Sequence, residues 1–253
     1  MSQFLTALQV YYPFDKFGYN DINFIIQPGN YYMAARITKD GMWRVSYGED
    51  TNLTHQEVVD HQQAKFEEML PGHPKPDEYK LTNINPYRIH QRCAEKFRVG
   101  RICLAADAAH LCNPFGGLGL TGGLVDVGGL FDCLNGIATK QADESILDKY
   151  DEVRRHIYHS IIDTISSSNF LRVSAMDPET ASQTDEFLAL CVRAENDLEI
   201  RKEIDQVCTE GPRSSRMLLL TYSRQCTISV TTSRSIIMTR LLSPALKDRK
   251  SVV

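Results

Sequence analysis

The rhythm of apolar and polar positions changes along this chain, and each rhythm predicts a different kind of element. Residues 10 to 50 read as strands. Tyr31 to Thr38 and Met42 to Tyr47 read as strands, with Lys39-Asp40-Gly41 as the turn between them. The stretch 30–48 therefore predicts an antiparallel hairpin, with Met33, Ala35 and Ile37 sharing one face. Thr54 followed by Glu57 predicts a capping box that opens a helix running to about Met69. Pro71, Pro74 and Pro76 then enforce a loop. A strand is expected near Tyr87–Cys93, and a buried one over Arg101–Ala106. From Asp148 the pattern is helical until Met176-Asp177-Pro178 breaks it. The remainder from Glu179 is expected to be helical too, with the β-branched run Thr227–Thr232 open to either assignment.

The segment Arg101–Gly123 carries the chemistry. A strand ends on Asp107, His110 and Pro114 punctuate a turn, and Gly116-Gly117-Leu118-Gly119 leads into a helix. A carboxylate delivered beside a helix N-terminus can accept hydrogen bonds from a polyol, while the bare amides of the first turn favour negative charge on an attached ring. Residues 116–129 hold seven glycines, of which Gly122, Gly123, Gly128 and Gly129 should lie inside the helix. Each costs roughly 0.8–1 kcal/mol against alanine, about 3–4 kcal/mol in all. Close approach of a ligand or of another backbone is the usual compensation, and the pattern leaves both open. Leu120, Leu124, Val127, Phe131 and Leu134 form an apolar stripe on the same helix.

The order Asp107-Ala-Ala-His110, Pro114, Gly116-Gly-Leu-Gly119 resembles the second flavin-binding motif of the single-component FAD-dependent monooxygenases, the aromatic-hydroxylase type. The likeness extends over roughly residues 10 to 180. It takes in Arg88, His90, Gln91, Arg92 and Arg98-Val-Gly-Arg101 upstream, and Asp126, Tyr150 and Arg154-Arg155 downstream. It is strongest to fungal members that act in secondary metabolism. The resemblance implies FAD as cofactor and NAD(P)H as co-substrate, with hydroxylation or epoxidation of a small organic molecule. By position, Asp107 would accept from the ribityl chain and Pro114 would shape the turn beside the flavin. Gly119 and Leu120 would present amides to the pyrimidine edge of the ring. Ala106 stands where relatives have glycine, a change expected to add only a methyl group near the cofactor. Thr121 stands where many have asparagine.

Relatives of this type also carry a strand–Gly-x-Gly-x-x-Gly–helix unit for the ADP half of FAD. Residues 1–253 contain no such unit beside the glycines already assigned to the second motif, and Asp40-Gly41 reads as a hairpin turn. The expected fold is thus mixed α/β: a partial FAD-binding domain with a substrate-domain β-sheet and a helical C-terminal region. The expected division is 1–85 for the substrate-domain sheet and helix, 86–140 for the motif region and 141–253 for the helical part. A partner chain or a missing N-terminal segment would complete the FAD site. The alternative is a flavin-free relative acting as a cyclase, an isomerase or an accessory binding protein.

Composition narrows this picture without changing it. A net charge of −4 over 253 residues offers no basic surplus for nucleic acid. No apolar run is long enough to span a bilayer, and the first residues lack the shape of a signal peptide. Seven cysteines, an odd number without CxxC spacing, argue against a disulfide scaffold or a zinc site and make a reducing, cytoplasmic setting the default. Tyr12, beside Tyr11 and ahead of Pro13-Phe14, is a candidate to hydrogen-bond a phenolic or enolic substrate, although two strand aromatics would look the same. His90, Arg88 and Arg92 would share one strand face and either pair ionically or flank an anion. His110 reads as a hydrogen-bonded packing residue, Arg154-Arg155 as a solvated helix face, and Cys112 as unreactive without a basic partner.

Overall fold

A computed structural model describes residues 2–27, 29–50, 52–202, 227–232 and 235–239. The chain forms two compact units, one from residues 89–170 and one from residues 3–88 together with the segment from Leu171 onward.

The sheet unit is built first along the chain. Strands β1 (Ser2–Tyr11), β2 (Ile22–Ile26), β3 (Tyr32–Arg36) and β4 (Met42–Glu49) lead into helix α1 (His55–Met69) and strand β5 (Lys80–His90). The expected hairpin is present: β3 and β4 pair antiparallel from Tyr32↔Tyr47 to Arg36↔Trp43. Gly41 supplies the positive φ of +94° that its turn requires. Tyr32 and Ala34 are buried, while Met33 and Ala35 are half-buried and Ile37 is exposed. Aromatic size decides this, because Tyr32 packs with Trp43, Tyr47 and Phe66 in the principal core. Helix α1 starts at the expected box, with Thr54 accepting from the Glu57 amide and Glu57 reaching back to the Thr54 amide. Val58, Gln62, Phe66 and Met69 form its buried stripe.

The 89–170 unit contains little sheet. Strand β6 (Arg92–Cys93) pairs with β9 (His110–Leu111), and β7 (Arg98–Val99) pairs with β8 (Ile102–Cys103). The buried strand expected over Arg101–Ala106 is thus a two-residue strand with Ile102 71% exposed, because only β7 covers it. Asp107 lies beyond it on a 3-10 turn, Ala106–Ala108. A second such turn, Pro114–Gly116, leads into helix α2 (Gly119–Ala138). Helix α3 (Ile146–Ile157) continues through a π-helical segment, Tyr158–Asp163, into α4 (Thr164–Ala175).

Helices α5 (Ala181–Thr184) and α6 (Glu186–Asn196) follow the break at Asp177-Pro178, and Asp185 caps α6 by accepting from the Leu188 amide. The 141–253 region is not helical throughout. Thr227–Thr232 and Ser235–Thr239 are strands β10 and β11, and they extend the sheet to the order β10-β11-β2-β3-β4-β1-β5. Strand β11 pairs antiparallel with β2, Ile237 opposite Ile25, and the β-branched run β10 pairs with β11, so it joins the sheet through an edge that local propensity could not see. Among the described residues no helix is long and apolar enough to cross a membrane. Cys93, Cys103, Cys112 and Cys133 are free thiols, and Cys191 is disulfide-bonded.

Candidate flavin site

The site residues lie in the 89–170 unit, where two turns meet the start of α2. Asparagine and proline set the second turn. Asn113 accepts from the Phe115 amide, Pro114 occupies the first helical position, and Gly117 closes the turn at φ +61°. Gln91 braces it from the gap between β5 and β6. Its Oε1 accepts from the Asn113 amide at 2.9 Å, and its Nε2 donates to the Ser166 hydroxyl at 2.7 Å. This brace interrupts the strand at Gln91, so the expected single face of Arg88, His90 and Arg92 is broken there. On Gly116 a Cβ would come within 2.9 Å of the Ser166 Cβ, so α4 packs directly on the turn.

Above Gly117 there is open space: a Cβ there would meet nothing within 4 Å. Leu118 starts α2 without a side-chain cap. The amides of Gly119, Leu120 and Thr121 therefore remain as orphan donors of the first turn. Asp107 is exposed, and no group among the described residues bonds its carboxylate. A free carboxylate, an open glycine and an uncapped helix start fit a polyol-linked, electron-poor ring, so the residues present are compatible with flavin.

Beneath the turns lies a buried charged cluster. Asp126 is fully buried and accepts from Arg154 Nε at 2.5 Å, His110 Nε2 at 2.7 Å and the Ala106 amide at 3.0 Å. Burial by itself would raise the Asp126 carboxyl. The hydrogen bonds from His110, Arg154 and Ala106, with the Arg154 charge, outweigh it and hold the group below its ordinary value. Arg154 is 5% exposed, so it is not on a solvated helix face; only Arg155, paired with Asp151 four residues earlier, is partly open. His110 is a packing residue, tilted against the Tyr158 ring and bonded to Asp126.

Ala106 corrects a further expectation. Its φ is +55°, in the left-handed region, so this alanine does more than add a methyl group. An L-residue there costs roughly 1–2 kcal/mol. Its Cβ also explains one glycine of α2, since a Cβ on Gly123 would stand 2.8 Å from it. Gly122 is covered by Ile162 and His110 in the same way. Gly122 and Gly123, with Asp126, thus lie on the packed face of α2. The apolar stripe points outward, with Leu120 78%, Leu124 64%, Val127 55%, Phe131 65% and Leu134 49% exposed.

Tyr12 lies in the sheet unit. It is buried, and its hydroxyl donates to the Pro71 carbonyl. Tyr11 is half-buried and donates to Asp40. Cys112, beside the second turn, has its thiol pushed up to about 11 by burial and by the charges of Asp107 and Asp163. Sequence reasoning missed the brace at Gln91 and the role of Asp126. The signals available were that both residues belong to the family resemblance and that Asp126 interrupts an apolar helix one turn beyond Gly122-Gly123.

The FAD binding domain family matches residues 22–164. The chain is 41% identical over 174 residues to para-nitrophenol 4-monooxygenase of Pseudomonas sp. (strain WBC-3), covering 69% of this chain and 43% of that protein. It is 33% identical over 172 residues to 6-hydroxy-3-succinoylpyridine 3-monooxygenase HspB of Pseudomonas putida, covering 68% of this chain and 43% of that protein. Among solved structures, p-nitrophenol 4-monooxygenase PnpA from Pseudomonas putida DLL-E4 superposes with a TM-score of 0.71 at 38% identity, covering 81% of this chain and 51% of that one. The chain therefore spans about half the length of the relatives it matches. With the family match reaching across more than half of its residues and onto the turns of Asp107 and Pro114, the chain belongs to the FAD binding domain family, and its homologues there are aromatic-hydroxylase monooxygenases.

Proposed function

We propose that this chain supplies the ribityl- and ring-facing part of the FAD site of a flavin-dependent monooxygenase that hydroxylates a small aromatic substrate with NAD(P)H and oxygen. Bound flavin supplies electron transfer from the nicotinamide and activation of oxygen. The chain's own residues bind and orient. Asp107 accepts from the ribityl hydroxyls, Pro114 sets the turn, and the amides of Gly119 and Leu120 stabilise negative charge at the pyrimidine edge. The observation that carries this reading is the unbonded Asp107 carboxylate beside an uncapped α2 with open space at Gly117.

The names of the homologous monooxygenases support a phenol or hydroxypyridine-like ring as substrate and hydroxylation over epoxidation. The biosynthetic setting, secondary metabolism in a fungal branch, is proposed on the sequence resemblance alone. Tyr12 enters the proposal as a support for the loop at Pro71, since its hydroxyl is already committed there.

We further propose that the site is completed by polypeptide outside residues 1–253, as a partner chain or an N-terminal segment carrying the ADP-binding unit. Two charge-assisted bonds to Asp107 and the helix terminus would contribute roughly 5–8 kcal/mol. Lost freedom on association costs at least about 4 kcal/mol, which leaves millimolar binding at best.

Flavin titration followed by fluorescence tests the reading, with circular dichroism as the folding control. Asp107→Ala should weaken binding by at least the worth of one such bond, about 1.5–3 kcal/mol or ten- to a hundredfold. Equal binding by the variant would remove the ribityl role. Because the site is proposed to need further polypeptide, the flavin-free reading is favoured only if the chain joined to an ADP-binding unit also binds no flavin, and the substitution would then be tested on turnover of a small phenol.

A further inference from the structure

The structure assigns Asp126 as a positioning residue: its carboxylate holds the Ala106 amide, keeps Ala106 left-handed and thereby fixes where the Asp107 carboxylate stands. The inference rests on the flavin reading for its functional consequence, and on geometry alone for its mechanical part.

Asp107 projects from a turn of three residues whose first member is Ala106, at φ +55°. Alanine does not hold that conformation by preference, so something outside the turn must select it. Two contacts do, both from one face of α2 and three residues apart. Gly123 leaves room for the Ala106 methyl: a Cβ at that position would stand 2.8 Å from it. Asp126, one turn farther on, accepts the Ala106 amide at 3.0 Å through Oδ2, the same oxygen that receives His110 Nε2 at 2.7 Å. Its other oxygen takes Arg154 Nε at 2.5 Å, which anchors the carboxylate to α3. Arg154 also reaches the Gly122 carbonyl at 3.4 Å. The turn then closes on itself, the Ala109 amide donating to the Ala106 carbonyl at 2.8 Å.

Asp126 has no exposed surface and cannot itself meet a ligand. Its influence passes through one backbone amide. Glycine at position 106 would adopt the same φ freely, so the demand on Asp126 is a consequence of the alanine this chain carries.

The test is a double-mutant cycle of Asp126→Asn and Ala106→Gly, read in two ways. Nuclear magnetic resonance shifts of Ala106, read together with its one-bond Cα–Hα coupling, report the sign of its φ without any ligand. Flavin mononucleotide, which has the ribityl chain and ring but no ADP half, reports the site by fluorescence quenching. Asp126→Asn should move the Ala106 shifts out of the left-handed range and weaken flavin mononucleotide binding about tenfold. In the Ala106→Gly background the same substitution should cost less than about threefold. Left-handed Ala106 shifts in Asp126→Asn, or an equal loss in both backgrounds, would overturn the proposal. Should Asp126→Asn alone not fold, a folded Ala106→Gly/Asp126→Asn double variant supports the clamp, and an unfolded one reduces Asp126 to packing. If the shifts respond as stated but the wild type joined to an ADP-binding unit binds no flavin, the positioning role stands and the flavin reading fails.

Discussion

Helix α2 offers a controlled experiment on what its glycines are for, because two of them differ only in what surrounds them. At Gly128 a Cβ would meet nothing within 4 Å. At Gly123 it would stand 2.8 Å from the Ala106 Cβ and 3.3 Å from the Ala106 Cα. Both positions are interior to a helix of twenty residues, so Gly→Ala gains about 0.8–1 kcal/mol of propensity at either. At Gly128 nothing opposes the gain, and Gly128→Ala should stabilise by that amount. At Gly123 the neighbour cannot swing aside, since a Cβ and a Cα move only with the backbone of the turn. Overpacking of this kind costs about 1–3 kcal/mol, so Gly123→Ala should be neutral to about 2 kcal/mol destabilising. The two variants should therefore differ by about 1–3 kcal/mol. Urea denaturation followed by circular dichroism measures this as a displacement of the midpoint at constant slope. Adding Ala106→Gly should return Gly123→Ala towards the stability of Gly128→Ala, because it removes the opposing methyl. If Gly123→Ala stabilises as much as Gly128→Ala, the packing account of the glycine face is wrong.

Further outcomes follow from the buried groups. The Asp126 carboxyl lies below its ordinary value of 3.8, so its contribution to stability is complete above that pH and is lost as pH falls through the lower folded value. Stability measured from about pH 6 to about pH 3 should fall less steeply in Asp126→Asn than in the wild type; parallel curves would show that the cluster does not govern the acid limb. The Cys112 thiol, pushed up to about 11, should be alkylated at pH 8 far more slowly than a free cysteine. Asp107→Asn should speed that reaction by removing one of the charges responsible, and an unchanged rate would place Asp107 too far from Cys112 to matter. Tyr12→Phe should cost about 0.5–1.5 kcal/mol through the lost bond to the Pro71 carbonyl, read as a shift in the denaturation midpoint.

Local chemistry determined a good part of this protein from sequence. The Thr54–Glu57 box, the Asp40-Gly41 turn, the break at Asp177-Pro178 and the entry to α2 after Pro114 each depend on a few adjacent residues, and each stands where the pattern put it. Periodicity also found the right faces of α2 and β3 but not their direction. Which face is buried depends on what arrives from elsewhere: in α2 the turn at Ala106 needs glycine beneath it, and in β3 Tyr32 fills the core beside Trp43. The same limit hid Arg154, whose guanidinium looks solvated in sequence until α3 brings it onto Asp126. It hid β11 as well, whose pairing with β2 joins residues more than two hundred positions apart. The left-handed Ala106 was legible only as a departure from a family glycine. Its φ is imposed by Gly123 and Asp126, residues distant in sequence, and so only the tertiary structure could decide it.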